Sequence, residues 1–255
     1  MKSSALKWIN TISLAAVLSV NALAELLPLG GVTTGEVAEA YPNLFSPAPY
    51  TFAIWGVIYL GLVFFVIYQW GIIGDGGGST VIRDAVDLWF CAGCIFNIAW
   101  IFAWHYDRIG LSVAAIVGLL ISLIGTVSRV KGLSRTDVDR VAADAPFDVY
   151  LGWIIAATIA CVSVWLVSVG WDGFGLSDVF WCVAVLILGA VIGVLEVLID
   201  GRRLTGITVI WALVGILVRH VSEGGFGGAY PPVIAAAILG IVVIAGAVVW
   251  KSVKR

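Results

Sequence analysis

The chain has 255 residues, of which 61% are hydrophobic and 12% charged, and its net charge is −2. Soluble domains carry about 25% charged residues, so no water-soluble core accommodates this much apolar surface. With no basic tail or arginine-rich run, nucleic acid is not an expected partner, and Cys91, Cys94, Cys161 and Cys182, all inside apolar segments, do not make a secreted disulfide framework.

The apolar residues come in continuous blocks, near the roughly 20 residues that a helix needs to cross a bilayer. Barrel strands would alternate apolar and polar residues, whereas a helix bonds its own backbone in lipid. The blocks predict eight transmembrane helices at about 8–24, 50–70, 88–105, 110–128, 149–169, 178–199, 204–220 and 231–250. The first has Lys2 and Lys7 ahead of it and Ala22-Leu23-Ala24 before Glu25. A retained helix and a cleaved signal peptide share that grammar, and cleavage would leave seven helices in the same orientation.

The segment 25–48 follows, with three glutamates and no basic residue. Pro28, Pro42, Pro47 and its glycines interrupt regular structure. Its apolar residues, among them Leu44, suit packing on helix ends, so it is read as a lid, with Tyr41, Pro42, Phe45 and Pro47 as the covering residues, or as a simple connector. Its GGVTTGE string lacks the lysine of a phosphate-binding loop.

In the second span Phe52, Trp55 and Tyr59 share a face, after Pro47 and Pro49 have set the chain direction. In the third, Asn97, Trp100, Trp104 and Arg108 recur at helical spacing and form a polar-aromatic stripe. Such an Asn is either interhelical packing glue or part of a ligand cavity. In the fifth span Tyr150, Trp153, Ala157 and Cys161 line one side. Gly189-x-x-x-Gly193 in the sixth fits close helix packing, within the bundle or in a homodimer. Glu196 is the one charge read inside a span, explained by snorkelling or pairing with an arginine. His105 and His220 lie near span ends, where a histidine is solvated or, less commonly, a haem ligand. Trp8, Trp70, Trp89, Trp171 and Trp250 fall at span ends and belong to interfacial belts.

Lysine and arginine concentrate in cytoplasmic loops. Twelve of the 14 basic residues fall in one alternating set of polar segments, leaving only Arg108 and Arg219 in the other. That split puts both termini in the cytoplasm of a cell-membrane protein and the 25–48 segment outside. No nucleophile–base pair, carboxylate dyad, metal site or cofactor fingerprint stands out, so catalysis is not the expected role.

Three stretches resemble the tryptophan-rich sensory protein family, also called TspO/MBR or translocator proteins. SPAPYTFAIWGVIYL at 46–60 resembles the family's proline-rich start of the second helix, with Phe52, Trp55 and Tyr59; the Phe-to-Trp spacing is one shorter than usual. FNIAWIFAWHYDR at 96–108 resembles its third helix, with Asn97, Trp100 and Arg108. YLGWIIAATIACVSVW at 150–165 resembles its fifth, with Tyr150, Trp153, Ala157, Thr158 and Trp165. The resemblance covers about 8–169. It implies a five-helix bundle over 1–170, a loop closing a pocket, and a retained first helix; residues 171–255 then form a three-helix membrane extension of unassigned role. Family members bind porphyrins and haem-like tetrapyrroles, sterol-like lipids and drugs. The resemblance therefore implies a pocket of Phe52, Trp55, Tyr59, Asn97, Trp100, Trp104, Tyr150, Trp153, Ala157 and Trp165 for a small apolar ligand, with porphyrin or haem as ligand and no required cofactor. Receptor, carrier or sensor is the expected role. A porphyrin-modifying enzyme and a regulatory or assembly protein are the alternatives. Some bacterial members are described as degrading porphyrin through two pocket tryptophans; Trp55 matches one, while the other position falls at Val162, after Cys161.

Overall fold

A computed structural model describes residues 2–27, 29–74, 77–134 and 136–254. Pro28 and two of the twelve basic residues counted on one side, Arg135 and Arg255, lie outside the described residues. Among the described residues, eight helices are long and apolar enough to cross a membrane, and none of these residues forms a strand. The protein is an all-α integral membrane protein. The helices are α1 (Lys2–Leu26), α2 (Ile54–Gln69), α3 (Gly77–His105), α4 (Ile109–Val130), α5 (Ala145–Ser168), α6 (Asp178–Leu198), α7 (Arg203–Val221) and α8 (Pro231–Val253).

Local chemistry explains where several of them begin and end. Ser177 caps α6, its hydroxyl accepting from the Phe180 N–H at 3.2 Å. Pro231 and Pro232 open α8, where a missing N–H costs no helix bond. Ahead of α5, Thr136 and Asp139 form a reciprocal capping box, and a π-helical turn at Arg140–Asp144 leads into the helix. The third helix carries an addition to the expected span. The chain is already helical from Gly77, breaks helical geometry at Asp87 (φ 45°, ψ −134°), and continues to His105, so the span expected from 88 starts at that break. The charged residues Arg83, Asp84 and Asp87 hid this first stretch from a hydropathy reading. Arg83 is buried and pairs with the half-exposed Asp84 at 3.0 Å.

The chain forms two compact units. The first comprises residues 1–34 and 54–151, the second 35–53 and 152–255. The contact boundary crosses α5 at Leu151 and Gly152.

In the first unit, polar ties fix α1 against its neighbours. Asn10 donates to Gln69 at 3.1 Å, and Asn21 donates to Asn97 at 2.8 Å; interhelical amides of this kind hold helices in lipid, where apolar contact alone gives little drive. Phe65, Phe90 and Phe147 pack as a ring trio with centroids 4.9–6.1 Å apart. Near the helix ends, Lys7 lies over Trp70 and Arg129 over Trp89, as expected of interfacial aromatics and long cations.

The second unit is built on α6, α7 and α8, with α5 from Gly152 onward. Its core joins Leu186, Ala190, Val209, Leu213 and Ile244 to Leu44 and Phe45 from the segment 35–53. The Gly189-x-x-x-Gly193 motif is used inside this unit. A methyl group on Gly193 would sit 3.0 Å from Ile244, and one on Gly189 would sit 3.6 Å from Ile159. Glu196 pairs with Arg202 at 2.9 Å, as the sequence suggested.

Candidate functional site

The first unit contains a ladder of aromatic rings. Trp55 stacks on Tyr59 at 5.6 Å and on Trp100 at 5.9 Å, and Trp100 stacks on Trp104 at 5.8 Å. Tyr150 meets Trp55 edge-on at 5.9 Å. The helical spacing of Trp100 and Trp104 on α3 places both indoles on one face, and the four-residue step from Trp55 to Tyr59 does the same on α2.

Asn97 organises the polar side of this ladder. Its Nδ2 donates to the Tyr150 hydroxyl at 2.9 Å, and its Oδ1 accepts from Asn21, whose Nδ2 also reaches the Val17 carbonyl at 2.9 Å. At the ladder's end, Trp104 Nε1 donates to the Thr34 carbonyl at 3.0 Å. Another polar atom of the ladder, Trp100 Nε1, is buried without a hydrogen-bond partner. Next to Tyr150, a void of about 20 Å³ lined by Val17, Cys94, Ser122 and Phe147 among others has room for about one water.

Six of the ten expected lining residues thus come together in this unit: Trp55, Tyr59, Asn97, Trp100, Trp104 and Tyr150. The other four belong to the second unit. There Phe52 packs edge-on to Trp153 at 5.9 Å, and Ala157 is half-buried. Trp165 is 38% exposed, on the outer surface of α5. The expected covering residues Tyr41, Pro42, Phe45 and Pro47 are also in the second unit, where Phe45 is part of the core.

Two readings are corrected. Arg108 leaves the α3 stripe, because the helix ends at His105 and Asp107 turns the chain through a left-handed conformation (φ 56°). The two histidines are buried rather than solvated. His105 Nδ1 donates to Ile101 O at 2.9 Å, and His220 Nε2 donates to Leu44 O at 2.8 Å. Among the described residues, no three His, Cys, Asp or Glu side chains converge as metal ligands would. Asn21 and Thr34 were missed as partners of the ladder. Asn21 was open to discovery as a polar residue within an apolar helix. Thr34 acts through its carbonyl, which leaves no mark in a sequence.

A family model described as TSPO-like protein matches residues 7–250. The chain belongs to the TSPO-like family. The match runs through α8, so the last three helices fall within the TSPO-like pattern along with the aromatic ladder. No curated protein and no solved structure matches the chain.

Proposed function

We propose that this TSPO-like protein is a receptor or carrier that holds a flat, largely apolar ligand against the Trp55–Trp100–Trp104 ladder, with a tetrapyrrole favoured over a sterol-like lipid. The observation that carries this reading is a buried, unpartnered polar atom, Trp100 Nε1, within a run of stacked aromatic faces. Buried polar groups left unbonded are costly, and binding sites combine apolar walls with a few such anchors. An indole N–H only donates, so the ligand would present an acceptor to Trp100 while its flat face lies on the rings. Asn97 would act as a positioning residue, since both ends of its amide are occupied by Asn21 and Tyr150.

The orientation proposed from the basic residues places both termini in the cytoplasm of a cell-membrane protein. The polar ties of α1 through Asn10 and Asn21 support a retained first helix.

The test is titration of the purified, detergent-solubilised protein with protoporphyrin IX, followed by tryptophan-fluorescence quenching, alongside Trp55→Ala and Trp100→Ala. Saturable quenching that weakens in both variants supports the reading. Saturable quenching of equal affinity in both would move the ligand elsewhere. Absence of saturation in folded protein would remove the tetrapyrrole, and the same titration with a sterol would follow.

A further inference from the structure

We propose that α7 is a clasp for residues 39–51, and that fastening this strap is the task of the last three helices. The strap runs antiparallel to α7 and is tied to it at successive levels. His220 Nε2 donates to the Leu44 carbonyl at 2.8 Å. The Ala48 N–H donates to the Gly215 carbonyl at 3.0 Å. Trp211 Nε1 donates to the Thr51 carbonyl at 2.9 Å. Beyond the first of these, Arg219 pairs with Glu39 at 3.4 Å.

These ties differ from incidental packing in their chemistry. Two of them use a buried or half-buried ring N–H from α7 to satisfy a strap carbonyl, and the third uses a helix carbonyl. A strap lying in an apolar setting has backbone groups that need such partners. Leu44 and Phe45 are buried with Leu186, Leu213 and Ile216, so the ties are backed by apolar contact. His220 is itself walled by Phe226 at 4.6 Å and Tyr230 at 5.8 Å, which hold its ring in place.

Gly215 makes the close approach workable. A methyl group there would collide with the Thr51 side chain. Alanine is a better helix former than glycine, so Gly215→Ala improves α7 as a helix and attacks only its contact with the strap. This separates clasping from the integrity of the helix.

The experiment reads strap release directly. Ala48 is buried, and Ala48→Cys introduces a thiol under the clasp. Maleimide modification of that thiol is timed in detergent-solubilised full-length protein and quantified on the strap peptide by mass spectrometry. The parent Ala48→Cys protein is expected to react slowly. Adding Gly215→Ala is expected to raise the rate at least about tenfold, and adding Trp211→Phe, which keeps a ring but removes the N–H, to raise it severalfold. Gly246→Ala is the control, since a methyl group at that α8 position meets nothing within 4 Å beyond its chain neighbours and its own helix backbone; it is expected to change nothing. A folded Gly215→Ala protein with an unchanged rate overturns the clasp, as does rapid reaction of the parent. Should Gly215→Ala fail to fold, unchanged rates in both Trp211→Phe and His220→Gln overturn it equally.

Discussion

Trp100 lies stacked on Trp55 with ring centroids 5.9 Å apart and planes at 29°, yet its own Nε1 is buried without a partner. The stack supplies packing, and the idle N–H supplies none, so the two contributions separate by mutation. Trp100→Phe keeps an aromatic ring and deletes the unsatisfied donor. The cost in stability should be that of the smaller ring alone, about 1–2 kcal/mol from the space it leaves, because no internal hydrogen bond is lost. Affinity for protoporphyrin IX should fall by about three- to tenfold, the worth of one neutral hydrogen bond. Thermal melting and quenching titration measure the two effects. A large loss of stability with unchanged affinity would make Trp100 a packing residue only.

Asn97 has the opposite character, since both ends of its amide are engaged. Asn97→Leu strands the Tyr150 hydroxyl, while Asn21 keeps its bond to the Val17 carbonyl. The expected loss is about 1–2 kcal/mol, toward the upper end of values for interhelical hydrogen bonds in membranes. Tyr150→Phe should cost less on its own, and the double variant less than the sum of the two. A coupling above about 0.5 kcal/mol in a double-mutant cycle of denaturant unfolding is the expected reading. Strict additivity would show that the 2.9 Å contact contributes nothing.

The count of eight spans was legible because hydropathy comes in uninterrupted blocks. The helical stretch ahead of the break at Asp87 was not, because Arg83, Asp84 and Asp87 interrupt the block there. The indole pair Trp100 and Trp104 and the step from Trp55 to Tyr59 were legible from helical period alone. Arg108 was misplaced because a period extrapolates past a helix end that only the turn at Asp107 reveals. The partners of the strap were out of reach for a different reason. His220 and Trp211 bond main-chain carbonyls 176 and 160 residues away, and a carbonyl carries no residue identity to match. Glu196 and Arg202, by contrast, are six residues apart and were readable as a charge pair.

The Gly189-x-x-x-Gly193 motif makes a prediction about assembly. Gly193 faces Ile244 and Val209 within the second unit. Gly193→Leu should therefore push α8 away and destabilise the protein by about 1–3 kcal/mol, the usual cost of overpacking. Unfolding in a denaturing detergent measures the loss. If Gly193 instead served a dimer, the variant would shift the oligomeric mass in light scattering while leaving monomer stability intact.

The clasp and the ladder meet along the covalent chain at Thr34 and Gly35. Thr34 gives its carbonyl to Trp104 Nε1 at 3.0 Å, and its hydroxyl lies 3.5 Å from His105 Nε2. Gly35 then begins the stretch that leads into the strap. Loosening the strap should relax the tether on Thr34 and, with it, the hold on the last indole of the ladder. Gly215→Ala is therefore expected to speed release of bound protoporphyrin IX severalfold in a stopped-flow displacement measurement, while Gly246→Ala leaves it unchanged. Two failures would carry different meanings. Faster thiol exposure at Ala48→Cys without faster release would leave the clasp standing and confine it to holding the strap. Faster release without thiol exposure would instead place the effect of Gly215→Ala inside the helices, where the strap plays no part.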